Sequence, residues 1–335
     1  KYGATDMFWK MVHSTTGFNA SENIDDLMDH VVLSAISRTI SSDVLSGLEE
    51  RYSDIHSGFC YDMIFSWIHG NDQDTFKPIS DFVTADLNLL DRFNKFEIEY
   101  LIDTDVLPAI DEVILSKLMH YIISQNISTD TIMSTVEKRR TSAWYENYSY
   151  FYEGIYQVAL MNRFYETHLN SFHHVNAKDM WDTYTSDYYQ MDTYYREFHN
   201  AFSNCLQVTH PSLDDDFKDL ADYVEKEYKN WYLEKLASNW NKVIEKDLST
   251  TGHITGIAQQ TDFYRDIVKK VDGKVFVIVS DAMRYDVAYT LARQLEVETN
   301  ADVKISAQQG IYPTITKFGM AALLPHKKLE TVVQN

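Results

Sequence analysis

Cysteine is nearly missing from this chain: Cys60 and Cys205 are the only two in 335 residues. They stand far apart and in no metal-type spacing. That excludes a disulfide scaffold and a thiolate metal knot, and makes a reducing compartment, the cytoplasm, the expected setting. Turn formers are scarce as well, with 11 Gly and 5 Pro. A collagen-like or low-complexity chain is thereby excluded, and the 23 Tyr and 17 Phe favour long helices packed through large side chains. No apolar run approaches the roughly 18 residues needed to cross a bilayer, and no basic-then-apolar leader opens the chain, so no membrane association is expected.

Bases are the remaining shortage. Thirty Lys and Arg meet fifty Asp and Glu, a formal charge of −20. The imbalance sits on one side of the chain. From residue 251 onward ten bases face nine acids, which leaves 20 bases against 41 acids in the first 250 residues. This step marks a domain boundary. It also argues against residues 1–250 gripping DNA directly, because phosphate contacts need clustered Lys and Arg and an acidic surface repels the backbone.

The 44% hydrophobic content suffices for sizeable cores in two or three domains. Residues 1–125 read as a helical domain. Leu27, Val31, Val32, Ala35, Ile36 and Ile40 share one helix face behind a possible Asn23 or Ser21 cap, and Pro108 sits at a plausible first turn. Residues 126–250 read as an aromatic-rich helical domain. Its Tyr and Phe stripes, from Trp144 to Tyr156 and from Tyr184 to Phe198, could stack bases but suit core packing better, since few bases accompany them. The spacing predicts one long helix over 212–248, opened by Ser212 as a capping residue. Arg139-Arg140 fits a solvated face or a carboxylate clamp, and His173-His174 point to different helix faces and cannot readily share a metal. Residues 251–273 read as a linker.

Residues 274–326 hold what reads as chemistry. Val275 to Val279 are five consecutive apolar residues without alternation, the pattern of a strand covered on both faces of a parallel sheet. Ser280 and Asp281 follow it, where open α/β sheets place ligands. Val287, Ala288, Leu291, Ala292 and Leu295 then predict a helix, Val303 to Ala307 a second strand, and Thr316 the start of a further helix stopped by Pro325. A threonine there lies beside free backbone N–H groups and the positive end of a helix dipole, a setting suited to an anion. Taken singly, a Ser-Asp after a strand and a threonine such as Thr316 are more often helix caps than site residues. The fold class expected is therefore a mostly α-helical N-terminal and middle region followed, over 274–335, by the start of an α/β domain with a parallel sheet.

The two blocks Val-Ser-Asp-Ala-Met-Arg-Tyr-Asp (279–286) and Tyr-Pro-Thr-Ile-Thr-Lys-Phe-Gly-Met-Ala-Ala-Leu-Leu-Pro-His (312–326) resemble the PglZ family of BREX phage-defence systems, a branch of the alkaline phosphatase superfamily. Tyr184 to Phe202, with Met191-Asp192-Thr193-Tyr194-Tyr195-Arg196 at its centre, is similar to the helical segment before the phosphatase-like domain of that family. The resemblance implies that Asp281 ligates a divalent metal and that Thr316 is both nucleophile and metal contact, with Thr314 as the alternative nucleophile. It further implies two ions, zinc as the first choice, and hydrolysis of phosphate esters or phosphodiesters through a phospho-threonine. Other BREX proteins, including the DNA methyltransferase, are the implied partners, which leaves a non-catalytic docking subunit as the other function class.

His326 is the single histidine after Asp281. The remaining ligands are thus expected beyond Asn335, and the 335-residue chain alone is expected to be inactive. Lys1 is not a methionine, and the sequence stops soon after the Thr316 helix, so both ends read as cut.

Overall fold

Apolar residues spaced three and four apart produce helix after helix from Ala4 onward in the computed structural model, which describes residues 3–208 and 210–330. The described residues are 67% helical. It divides into two compact units, Lys1–Asn162 with Glu197–Tyr223, and Arg163–Arg196 with Val224–Asn335. The units interleave in sequence. Their divisions fall inside three helices, Tyr145–His168, Tyr189–Cys205 and Asp214–Glu227.

In the first unit the Asn23 side chain accepts the Asp25 N–H at 3.0 Å and caps helix Ile24–Ser37, whose Val31, Val32, Leu33, Ala35 and Ile36 are buried. Pro108 opens helix Pro108–Ile123, at a position where a missing N–H costs nothing. Arg139 is a carboxylate clamp. Its guanidinium donates to both oxygens of buried Asp111 at 2.9 and 2.7 Å and to the Thr104 carbonyl at 2.7 Å, while the Tyr152 hydroxyl donates to the same carboxylate at 2.6 Å. Such a buried charge is tolerable because it is paired with an opposite charge and both carboxylate oxygens accept hydrogen bonds. Arg140 instead makes a half-exposed pair with Glu153. Both thiols are buried, which pushes Cys60 up to about 11 and Cys205 up to about 12.

The second unit packs aromatic residues inward. Phe172, Tyr188 and Tyr232 are buried around Phe164 and Trp231, with ring centroids 4.7 to 6.4 Å apart. A neighbouring cluster joins Ala177, Ile244, Ile254 and Ile257 to Trp181 and Trp240. The long helix expected over 212–248 runs from Asp214 to Thr251 with a π-helical turn, Tyr228–Leu233, set into it. Ser212 does not act as its capping residue; its hydroxyl donates to Glu112 at 2.8 Å. Gly252, at φ 71°, ends the helix by donating its N–H to the Leu248 carbonyl, in the left-handed conformation that glycine adopts without cost.

The parallel sheet expected over 274–335 does not form among the described residues, and residues 331–335 lie outside them. Among the described residues no strand forms, and the only β-type pairing is a single parallel bridge between Gln259 and Gln309. Val275–Val279 runs without ladder partners, with Phe276 87% and Ile278 93% exposed. Residues 303–307 likewise lack a ladder. An apolar run fixes what a strand could bury, but a strand exists only through inter-strand hydrogen bonds, and no neighbour supplies them. Helix does form where the apolar spacing asks for it, over Tyr285–Glu298 and Thr316–Leu323.

Candidate active site

Three segments of the second unit build a cleft of about 410 Å³, lined by Gln260, Ser280, Asp281, Ala282, Thr314 and Thr316 among others. Asp281 follows the irregular run that begins at Lys274. Its Oδ1 accepts the N–H of Ala282 at 3.0 Å, which closes the backbone into a tight turn. Ala282 pays for that turn with φ 56°, a left-handed conformation worth about 1–2 kcal/mol against an L-residue with a Cβ. The second segment brings Thr316. Ile315 is extended and serves as N-cap residue, so Thr316 is the first residue of its helix, and the amides of Phe318 and Gly319 turn back to the Ile315 carbonyl at 3.0 Å.

The two candidate residues meet. The Thr316 hydroxyl donates to the Asp281 carboxylate, 3.1 Å from Oδ2 and 3.4 Å from Oδ1, and both side chains face solvent in the cleft. Thr314 lines the same cleft, and its Cγ2 lies 3.4 Å from where a Cβ on Gly310 would stand. His326 is not brought to Asp281: its Nδ1 contacts the Leu324 carbonyl at 2.7 Å.

Two glutamines hold the loop that presents Thr316, and nothing in the sequence singles them out. Gln309 is 3% exposed. Its side chain donates to the Ile254 and Ile257 carbonyls at 2.8 and 3.0 Å and accepts the Ile254 N–H at 2.7 Å, and its backbone N–H reaches Ala258 at 2.8 Å. Gln260 accepts the Ile311 N–H at 3.3 Å, and a Cβ on Gly319 would stand 3.4 Å from its amide nitrogen. Amide side chains in loop-like sequence carry no periodic signal, so only the fold reveals that these two are clips.

As a donor set for a divalent ion the site is short. Asp281 and Thr316 supply one carboxylate and one hydroxyl, where a catalytic ion commonly takes three protein ligands. Among the described residues no group of three or more His, Cys, Asp or Glu could hold a metal. The residues present do not by themselves fit the two-ion site that the resemblance implies.

Comparison with known proteins decides the kinship. Residues 261–335 match the family model described as the BREX system PglZ alkaline phosphatase-like domain. The alkaline phosphatase-like protein PglZ of Bacillus cereus (strain H3081.97) is 30% identical over 334 residues. The chain is a relative of the PglZ proteins. Alkaline phosphatase-like protein BrxZ of Escherichia coli O9:H4 (strain HS) is 26% identical over 345 residues. Each match takes in 98% of this chain, so the PglZ likeness extends through the helical units as well as the matched domain. The chain spans 38% and 39% of the length of these two relatives. No solved structure matches it. Among the described residues no helix is long and apolar enough to cross a membrane.

Proposed function

We propose that this chain is the part of a BREX phage-defence hydrolase that carries its nucleophile, acting on phosphate monoesters or diesters. The observation that supports this most is the contact of Thr316 with Asp281 at the head of a helix, within the segment that matches the PglZ domain. The Thr316 oxygen would form a bond to phosphorus as the bond to the leaving alcohol breaks and its electron pair departs with that alcohol; water would then release the phosphate from threonine. Asp281 holds the hydroxyl proton side of Thr316 and so fixes which lone pairs face the cleft. A divalent ion, zinc in the first instance and two in number, would count Asp281 and Thr316 among its oxygens, and the rest of its ligands would come from outside this set.

The shortage of donors favours a second reading: a docking subunit in which the acidic helical units receive other BREX proteins such as the DNA methyltransferase. Hydrolysis of nitrophenyl phosphate and bis(nitrophenyl) phosphate by the full-length protein, with zinc, manganese or magnesium supplied, separates the two. Turnover that Thr316→Ala abolishes supports the enzyme; no turnover with any of these ions supports the docking subunit.

A further inference from the structure

The Asp281 turn is exposed and strained, yet it is not loose, because a chain of four charges begins three residues after it. Arg284 donates from Nε to Asp286 at 3.1 Å and reaches Asp192 from its terminal nitrogen at 2.7 Å. Arg196 closes the other side, Nε to Asp286 at 3.0 Å, and its terminal nitrogen donates to the Thr290 hydroxyl at 3.1 Å. Charges thus alternate along Asp192, Arg284, Asp286 and Arg196. Asp286 is fully buried and Asp192 is 3% exposed.

Asp192 is further gripped by hydroxyls. Tyr184 donates to it at 2.7 Å and Tyr228 at 2.5 Å, with the Tyr232 hydroxyl 3.3 Å away. Tyr184 stands in one π-helical turn, Tyr184–Tyr188, and Tyr228 and Tyr232 in another, Tyr228–Leu233. A π turn costs backbone energy, and two of them aim side chains at one carboxylate. The effort is spent beside the candidate site. We propose that this charge chain is the clamp that positions the Asp281 turn, so that Asp192 and Arg196, about 90 residues upstream, are positioning residues for the proposed reaction.

Ala282 at φ 56° would relax to an ordinary conformation, and swing the Asp281 carboxylate away from Thr316, unless the backbone on its far side were fixed. Arg284 fixes it, since its planar guanidinium is held by carboxylates at two edges. A buried ion network adds little net stability over apolar packing, but it specifies one geometry, which is what a turn bearing a reactive pair requires. It also gives the resemblance of the 191–196 segment a physical content: Asp192 and Arg196, one helical turn apart, are the two ends of the clamp.

The proposal rests on Asp281 and Thr316 being the site, and its test has a readout independent of that. In the full-length protein, hydrogen exchange is followed at peptides covering 279–286 and 290–298, in wild type and Asp192→Asn, alongside kcat and KM. The clamp predicts exchange at 279–286 faster by tenfold or more with 290–298 unchanged, and a kcat lower by about 10–100-fold at unchanged KM. Arg284→Lys, which keeps the charge but not the bidentate fork, is read the same way if Asp192→Asn does not fold. Unchanged exchange at 279–286, or an equal rise at 290–298, overturns the clamp and leaves a general packing role. If wild type shows no turnover, the hydrolase reading fails while the exchange result still decides the clamp.

Discussion

At the scale of single residues, burial decides behaviour more than residue type does. Asp29 is 6% exposed, and burial together with neighbouring Asp86 raises its carboxyl to about 7, against which Arg51 at 3.8 Å pulls only weakly. An acid whose pKa rises on folding binds its proton more tightly in the folded state. Its contribution to stability is therefore fully present below about pH 4 and is lost as pH rises through about 7. Denaturant unfolding from pH 5 to 8 should show stability falling with pH, and Asp29→Asn should flatten that fall and stabilise the protein at pH 8 by on the order of 1–3 kcal/mol. A slope that Asn leaves intact would place the titration elsewhere. Arg139 shows how little of this is written in the sequence. Arg139-Arg140 is one dipeptide with two candidate fates, and the helix turns one arginine onto buried Asp111 and the other onto half-exposed Glu153.

At the scale of elements, helices were readable and strands were not. The 3-and-4 spacing of Leu27 to Ile36, and of Val287 to Leu295, needs only the local chain to become a helix, because its hydrogen bonds close within the element. The run Val275 to Val279 needed a partner that its own residues cannot supply, and it stays unpaired and exposed. The nearness of Asp281 and Thr316 could be anticipated from their places at the end of one segment and the head of another. What holds those segments could not, since Gln309 bonds to Ile254 across 55 residues and Arg196 to Asp286 across 90. Gln309→Ala would leave two carbonyls and one amide of the buried Ile254 and Ile257 stretch unpartnered, a loss of roughly 2–4 kcal/mol. Urea unfolding should show it; a change below about 0.5 kcal/mol would mean that water or a neighbour replaces the clip.

At the scale of the whole molecule, two interleaved helical units carry a short stretch of phosphatase-like sequence, and the acidic balance lies almost wholly in the first 250 residues. In the proposed reaction the Thr316 hydroxyl oxygen is the atom that takes up the phosphate. Acid quench of the full-length protein during turnover of a phosphate ester, followed by mass spectrometry of the peptide containing Thr314 and Thr316, tests it most directly. The account predicts a phosphate on Thr316, lost in Thr316→Ala together with turnover. Phosphate on Thr314, or undiminished turnover by Thr316→Ala, would contradict it.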